Sequence, residues 1–243
     1  MISKTEERVD PRRHPLLTLV KRIESRVLLV LLAVAGALWL FLGLADEVTD
    51  GDTADLDRRL LLAFRNPVDI NDPVGPRTLE ESLRDITALG GFTVLTIVTV
   101  VAAMAFLFHR KRLHAAVLVG AVVLAQVSNS LAKALVDRPR PDLVSHGSYV
   151  YSASFPSGHS ALSAATYLTL AMLVASLETR RRAKFTAYAL AVLIVVSVGL
   201  SRVYLGVHWP SDVLGGWVFG AAWSLLAWLV LLRLGARPAT PTD

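Results

Sequence analysis

The chain contains no cysteine, and charged residues are scarce. Without cysteine among its 243 residues, the protein has no disulfide and no thiolate for catalysis or metal binding. Asp, Glu, Lys and Arg make up 19% of the sequence, below the roughly 25% of a typical soluble domain. Hydrophobic residues reach 53% and the mean hydropathy is +0.51. This composition indicates a membrane protein.

Six long apolar runs account for the high hydropathy. Each has about 20 residues, the length that a helix needs to cross about 30 Å of hydrocarbon. Apolar residues cover every helical face in these runs, whereas a helix of a soluble domain carries one apolar stripe. The runs begin at Val27, Ile86, Leu113, His159, Phe185 and Val213. They predict an all-α, polytopic membrane protein with six transmembrane helices.

The first run admits two interpretations. It follows basic residues and ends in "GLAD", a small-residue sequence of the kind that signal peptidases cleave. Its 19 apolar residues exceed the roughly 7 to 15 of a signal peptide. The length favours a retained membrane anchor over a cleaved signal.

The distribution of basic residues predicts the orientation. If the N-terminus is cytoplasmic, 16 of the 25 Lys and Arg residues lie in cytoplasmic segments, namely 1–26, 109–114, 178–184 and the tail after Leu232. The outer segment 46–85 holds 5 basic and 11 acidic residues. This asymmetry agrees with the positive-inside rule. The net charge of +5 then reflects membrane topology, and no basic soluble face with aromatic residues indicates a nucleic-acid partner.

The chain divides into three parts by composition. Residues 1–26 form a polar cytoplasmic segment, residues 27–234 a membrane domain, and residues 235–243 a cytoplasmic tail. Within the membrane domain, residues 46–85 are an insertion at the outer face. Its apolar residues share one side of a predicted helix: Leu56, Leu60, Leu61 and Phe64. One or two short helices are expected there at the membrane surface, either flanking a substrate entrance or serving as an amphipathic plug.

Three polar stretches fall on the outer face under this topology. The first, "KALVDRPRP", contains Lys133, Arg138 and Arg140. A single lysine at the end of a span is most often a snorkelling anchor. Because two arginines follow on a chain stiffened by proline, the stretch also suits phosphate, which guanidinium and ammonium groups both bind.

The second stretch, "SFPSGHS", lies where the fourth span begins. Ser157 is a good N-cap, and Gly158 allows close approach of the backbone to a ligand. A helix N-terminus attracts anions, and His159 in its first turn is placed to donate a proton. The alternative is a simple helix cap, with His159 facing interfacial water.

The third stretch, "SRVYLGVHWPSD", contains Arg202, His208 and Asp212. An acid in the first turn of the sixth helix is favoured by the helix dipole alone. The functional interpretation is that Asp212 accepts a hydrogen bond from one nitrogen of His208. The other nitrogen would then be free to attack an electrophile.

Together these residues resemble the signature of the type 2 phosphatidic acid phosphatase superfamily. The matching positions are Lys133, Arg140-Pro141, Pro156-Ser157-Gly158-His159, Ser201-Arg202, His208 and Asp212. Eleven specified positions match in the right order, which far exceeds the specificity of one short motif. That superfamily includes membrane lipid phosphatases, glucose-6-phosphatase and soluble vanadium haloperoxidases.

The resemblance implies a mechanism. His208 would be the nucleophile that forms phosphohistidine, Asp212 would orient it, and His159 would protonate the leaving group. The phosphate-binding groups would be Lys133, Arg140, Ser157, Gly158 and Arg202. These cations can neutralise a phosphate without a metal or other cofactor, so metal-independent activity is expected.

An outward-facing site at headgroup depth suits a lipid substrate in the bilayer. The candidate substrates that the resemblance implies are phosphatidylglycerol phosphate, phosphatidate and polyprenyl diphosphate. The composition is compatible with a protein of a bacterial inner membrane, and the active site of such a protein would face the periplasm. Two alternatives remain open. A phosphotransferase would pass the phosphoryl group to an acceptor other than water, and a transporter would only bind the anionic headgroup.

Overall fold

The architecture is helical throughout the described chain. The structure, a computed structural model, describes residues 15–146 and 152–235, with side chains from residue 25 onward. This part contains eight helices and no strand: α1 Pro15–Asp50, α2 Ala54–Leu62, α3 Arg77–Ala88, α4 Phe92–Phe108, α5 Arg112–Val136, α6 Gly158–Leu177, α7 Arg181–Tyr204 and α8 Pro210–Gly235. The expectations for residues 1–14 and 236–243 lie outside the described residues.

Helix length and composition support five membrane crossings, or six if a bent helix pair is counted as one. Five of the described helices are long and apolar enough to cross a bilayer, namely α1 from Ser25, α5, α6, α7 and α8. The pair α3 and α4 qualifies together as a sixth crossing, bent by 49°. The prediction of an all-α, polytopic membrane protein is therefore confirmed.

The second crossing differs from the prediction of one continuous helix from Ile86. It is interrupted at residues 89–91, between α3 and α4. Two glycines in succession, Gly90 and Gly91, are poor helix formers. The hydroxyl of Tyr167 donates a hydrogen bond to the Leu89 carbonyl at 2.8 Å, which satisfies an oxygen that the break releases. The uniform hydropathy of this segment concealed the break.

One or two short helices were expected within residues 46–85, and two begin there. The first is α2, and the second is α3, which continues into the bent crossing. The expected apolar face of α2 divides in the structure. Leu61 is fully buried, whereas Leu56 and Leu60 are exposed. Asp57, one turn before Leu61, is buried instead, because it pairs with charged and polar groups of other elements.

The central contact of the fold joins α6 to α8. Gly216 and Gly220 form a GxxxG stripe on α8, which allows helix backbones to approach closely in a membrane. A side chain at Gly216 would come within 2.7 Å of the Ser157 carbonyl oxygen. At Gly220 it would overlap the Ala161 carbonyl and lie 2.6 Å from the Ala164 Cβ. Only hydrogen fits at these two positions.

An aromatic cluster fixes α1 beside this helix pair. The Phe41 ring of α1 lies 5.7 Å from the Phe155 ring, which precedes α6, and 5.1 Å from the Phe219 ring of α8. Phe155 is fully buried. Such contacts contribute about 0.5–1.5 kcal/mol each beyond area burial. The cluster packs beneath the polar segment that leads into α6.

The close approach of α6 and α8 predicts a strong effect of adding one methyl group. Gly220→Ala should lower the free energy of unfolding by about 1–3 kcal/mol, because the new Cβ meets backbone atoms that cannot move aside. The control is Gly120→Ala in α5, where nothing lies within 4 Å of the new Cβ. Thermal unfolding of both variants in the same detergent measures the difference, and equal midpoints would contradict the close packing.

Candidate active site

Four helix ends bring the candidate site residues to one end of the bundle. Lys133 lies in the last turn of α5, His159 in the first turn of α6, and Arg202 in the last turn of α7. Asp212 lies in the first turn of α8. The charges of Lys133, Arg140 and Arg202 are close enough to repel one another. The structure therefore gathers all three predicted stretches.

His208 and Asp212 form a buried pair. Their side chains are 2% and 0% exposed, and the His208 Nδ1 lies 3.2 Å from Asp212 Oδ2. The same carboxylate oxygen accepts hydrogen bonds from the Trp209 amide at 2.9 Å and from the Ser154 hydroxyl. These bonds fix the carboxylate against the imidazole, as the sequence predicted.

The tautomer of His208 follows from its two neighbours. Arg140 Nη1 lies 3.1 Å from the Nε2 atom. A guanidinium only donates hydrogen bonds, so Nε2 must offer its lone pair to Arg140. Nδ1 then carries the proton and donates a hydrogen bond to Asp212. His208 is thus neutral, with an unprotonated Nε2.

Burial favours the same neutral state. It lowers the pKa of His208 to about 3, while the hydrogen bond to Asp212 opposes this shift. The adjacent charges of Arg140 and Arg202 also lower that pKa. Because this value lies well below the ordinary imidazole pKa of 6.5, the ring is neutral throughout the neutral and mildly acidic range.

The start of α6 is capped by Ser157. Its side chain accepts a hydrogen bond from the Ser160 amide at 3.4 Å, so the capping prediction is confirmed. The Ser157 amide donates to the Asp212 carbonyl at 2.9 Å and so connects α6 to α8. Among the described residues, the amides of Gly158 and His159 have no hydrogen-bond acceptor. Two free donors therefore point out of the helix N-terminus.

The His159 side chain is half-buried and lines a cavity. No described residue forms a hydrogen bond with its ring. The cavity has a volume of about 570 Å³ and is also lined by Lys133 and Gly158. The ring is thus available to a molecule that enters the cavity.

The three predicted cations occupy different environments. Lys133 donates to the Ala153 carbonyl at 2.5 Å. Arg140 donates to the carbonyls of Ser152 and Val207, each at 2.7 Å. Arg202 is 2% exposed. Its Nη1 donates to the Thr87 hydroxyl of α3 at 3.1 Å, and its Nε has no partner among the described groups. Arg202 therefore keeps a guanidinium hydrogen for a further acceptor, and a phosphate oxygen would form a strong bond with it.

An apolar cavity adjoins the polar one. It has a volume of about 310 Å³ and lies between α4 and α5, with Leu162 of α6 at its side. Phe92, Gln126 and Leu162 line both cavities. The combined space therefore passes from a cationic end into an apolar groove between two membrane helices.

Some residues of the site were not assigned a role from the sequence. Arg138, Asp57, Ser154 and Ser211 all bond to the Asp212 carboxylate or to its partners. Arg138 was recognisable only as one more cation beside Arg140. For Asp57 the available signal was an acidic residue among the leucines of α2. Nothing in the sequence distinguished Ser154 or Ser211.

No group of three His, Cys, Asp or Glu side chains arranged to hold a metal ion occurs within residues 25–146 and 152–235. The two carboxylates of the site, Asp57 and Asp212, are both bonded to Arg138. The positive charge at these carboxylates is therefore supplied by a guanidinium group of the chain.

Comparison with known proteins agrees with this geometry. The sequence profile of the PAP2 superfamily matches residues 114–236. Phosphatidylglycerophosphatase B of Bacillus subtilis is 37% identical over 146 residues, which cover 58% of this chain and 70% of that protein. Lipid A 1-phosphatase of Rhizobium johnstonii is 35% identical over 123 residues, covering 47% of this chain and 46% of that one.

A solved structure shares the fold. The crystal structure of a transmembrane PAP2-type phosphatidylglycerolphosphate phosphatase from Bacillus subtilis superimposes with a TM-score of 0.73 at 27% identity. The match covers 85% of this chain and 98% of that one. The profile match includes every predicted site residue, from Lys133 to Asp212. The chain belongs to the PAP2 superfamily.

Proposed function

We propose that this protein hydrolyses the phosphate ester or diphosphate of a membrane lipid through a phosphohistidine at His208. The observation that carries this proposal is the state of His208. Its Nδ1 proton is held by Asp212, and its Nε2 lone pair faces the guanidinium of Arg140. Binding of an anionic lipid does not require an oriented, unprotonated imidazole, whereas nucleophilic attack on phosphorus does.

The first step breaks the bond between phosphorus and the leaving oxygen. His208 Nε2 attacks phosphorus with its lone pair, and the leaving alcohol or phosphate oxygen takes a proton from His159. In the second step, water gives a proton to His159 and attacks the phosphohistidine. The Nε2–phosphorus bond then breaks and releases inorganic phosphate, which returns both histidines to their initial states.

The cations have a specific task before the first step. In this structure Arg140 donates a hydrogen bond to the Nε2 atom of His208, so the lone pair of that atom is engaged. An arriving phosphate would draw the guanidinium onto its own oxygens, because a charged acceptor forms the stronger bond. This transfer exposes Nε2 at the moment when phosphorus is within reach. Lys133, Arg202 and the free amides of Gly158 and His159 would hold the remaining oxygens, with Ser157 holding the helix start in place.

The adjoining apolar groove supports a lipid substrate. A phosphate bound near Lys133 and His159 would leave its hydrocarbon chain along the α4–α5 groove. The candidates are phosphatidylglycerol phosphate, phosphatidate and polyprenyl diphosphate. The two relatives named above carry the names of a phosphatidylglycerophosphatase and a lipid A 1-phosphatase, so proteins similar to this chain are named for different lipid phosphates.

The distribution of charge supports an outward-facing site in an inner membrane. The exposed basic clusters at residues 110–112 and 180–182 lie at the end of the bundle opposite the site. Under the positive-inside rule, that end and both termini face the cytoplasm. The site then opens to the periplasm or exterior at headgroup depth.

The bend of the second crossing packs against the backbone of His159. A Cβ at Gly90 would lie 3.0 Å from the His159 carbonyl oxygen and 3.2 Å from the His159 Cβ. Thr87, in the same bend, accepts the hydrogen bond from Arg202. The break between α3 and α4 therefore contacts both the proposed proton donor and one phosphate-binding group.

Substitution of the nucleophile tests the proposal directly. His208→Ala should lower the release of free phosphate by at least about 10³-fold, since removing a nucleophile abolishes the covalent route. The control is His109→Ala, an exposed histidine at the opposite end of the bundle. Phosphate release from a panel of lipid phosphates in mixed micelles measures the effect, and acid quenching of the wild type should trap phosphohistidine.

The products distinguish hydrolysis from the alternatives. Wild-type turnover by His208→Ala would refute the phosphohistidine mechanism. Dephosphorylated lipid without free phosphate would indicate transfer to another acceptor. Tight binding of the lipid by the wild type without any turnover would favour a transporter.

Activity should not depend on a divalent metal. Because Lys133, Arg140 and Arg202 supply the positive charge that phosphoryl transfer needs, the purified protein should retain full activity in excess chelator. The measurement is lipid phosphate turnover with EDTA, before and after addition of Mg²⁺. Loss of activity in EDTA that Mg²⁺ restores would overturn this expectation.

The contact of Gly90 with His159 predicts a defect in the chemical step. A Cβ at position 90 would lie 2.5 Å from Val198 Cγ1 of α7 and 3.0 Å from the His159 carbonyl oxygen, so the bend and the start of α6 would have to move apart. Gly90→Ala should lower kcat by about 10- to 100-fold, because a displacement of a catalytic group by a fraction of an ångström weakens proton transfer. Gly43→Ala, where nothing lies within 4 Å of the new Cβ, is the matched control. Steady-state kinetics of the folded variants decide the question, and unchanged kcat for Gly90→Ala would contradict the proposed role of the bend.

A further inference from the structure

Asp57 is a buried carboxylate that the proposed reaction does not yet use. It lies in the first turn of α2 and is 2% exposed, whereas Asp55 in the same turn is exposed. Burial of a carboxylate is costly unless the charge is paired and hydrogen-bonded. The contacts of Asp57 therefore indicate what its burial achieves.

The first contact of Asp57 is with the start of α8. Its Oδ1 accepts a hydrogen bond from the Ser211 amide at 2.9 Å, and its Oδ2 accepts one from the Ser211 hydroxyl at 2.5 Å. The amide belongs to the first turn of α8, where backbone donors lack partners within the helix. Asp57 of α2 thus caps the first turn of α8. The capped residue, Ser211, directly precedes Asp212.

The second contact of Asp57 is with Arg138. The Asp57 Oδ2 lies 2.8 Å from Arg138 Nη2, which also donates to the Thr53 hydroxyl at 3.2 Å. The other terminal nitrogen, Nη1, lies 2.7 Å from Asp212 Oδ1. The side chains of both carboxylate partners are almost inaccessible to water, at 3% exposed for Asp57 and 0% for Asp212. One guanidinium thus bridges two buried carboxylates.

This bridge determines how Asp212 faces His208. The Oδ2 atom of Asp212 accepts the bond from His208, while Oδ1 is held by Arg138. Rotation of the carboxylate would therefore break the Arg138 contact. Without Asp57, Arg138 would keep its contacts with the Thr53 and Ser211 hydroxyls but would lose one of its two carboxylate partners, and its charge would be paired with Asp212 alone. Both changes would alter the group that orients the nucleophile.

We propose that Asp57 is a positioning residue for the phosphatase site, acting through Arg138 on Asp212 and hence on His208. The inference rests on the proposed function of His208. It gives the surface helix α2 a role in the chemistry, in addition to any role at the membrane surface. Asp57 does not contact the substrate in this proposal, so its loss should reduce the chemical step and leave lipid binding nearly unchanged.

The test is Asp57→Asn in the full-length protein, reconstituted in detergent. Asparagine retains an oxygen for the Ser211 amide but lacks the charge that pairs with Arg138. The expected result is a decrease in kcat of about 10- to 100-fold, with KM within about twofold of the wild-type value. The matched control, Asp55→Asn, makes the same change at the exposed position of α2 and should retain wild-type kinetics.

A double-mutant comparison tests the route through Arg138. Once Arg138→Gln has removed the bridge, adding Asp57→Asn should change kcat by less than about twofold, because residues that act as a unit are not additive. A purely structural Asp57 would give a different pattern: lower thermal stability and folded yield, with unchanged kcat per folded molecule. That pattern, or effects that multiply in the double variant, would overturn the proposal.

A second variant covers the case in which Asp57→Asn does not fold. Arg138→Lys keeps the positive charge but lacks the planar fork that reaches two carboxylates at once. It should show the same loss of kcat with little change in KM, and wild-type kcat would refute the bridge. Failure of the proposed function is recognised separately, because His208→Ala would then remain active. An inactive His208→Ala together with a fully active Asp57→Asn would refute only the role of Asp57.

Discussion

The close approach of α6 and α8 is the contact on which the site depends. Hydrogen atoms at Gly216 and Gly220 allow the α8 backbone to lie against α6. The resulting contact places the start of α6 beside the start of α8, where the Ser157 amide bonds to the Asp212 carbonyl at 2.9 Å. The free amides at the start of α6 and the His208–Asp212 pair at the start of α8 are therefore held in one rigid arrangement. Precision of this kind is what phosphoryl transfer requires.

The break in the second crossing extends the same principle to the other side of the site. An unbroken helix would present a full row of side chains to α6 and α7. The glycine at position 90 instead lets the backbone reach His159, and Thr87 reaches Arg202. The carbonyl released at Leu89 is satisfied by Tyr167, so the break leaves that oxygen bonded within the membrane domain. Irregular backbone at membrane depth occurs here where it borders a cavity.

The sequence predicted what depends on local pattern and failed where distant residues meet. Hydropathy identified the crossings. The His208–Asp212 pair lies at i and i+4, so local spacing was enough to predict it. The Asp57–Ser211 contact joins residues 154 positions apart, and the Arg138–Asp212 contact spans 74. No period or motif encodes such pairs, because they exist only after the helices have packed. The break at Leu89–Gly91 was missed for another reason: glycine hardly lowers the hydropathy of an apolar run.

The charges of the site fit the proposed substrate once Asp57 is included. Lys133, Arg138, Arg140 and Arg202 bring four positive charges to one end of the bundle. Asp57 and Asp212, both bonded to Arg138, offset two of them. His208 adds none, because burial keeps it neutral. The remaining two positive charges, together with the proton that His159 carries for the leaving group, attract the dianion of a phosphate monoester. Without Asp57 the site would hold a further uncompensated charge in a region of low dielectric, where the cost is high.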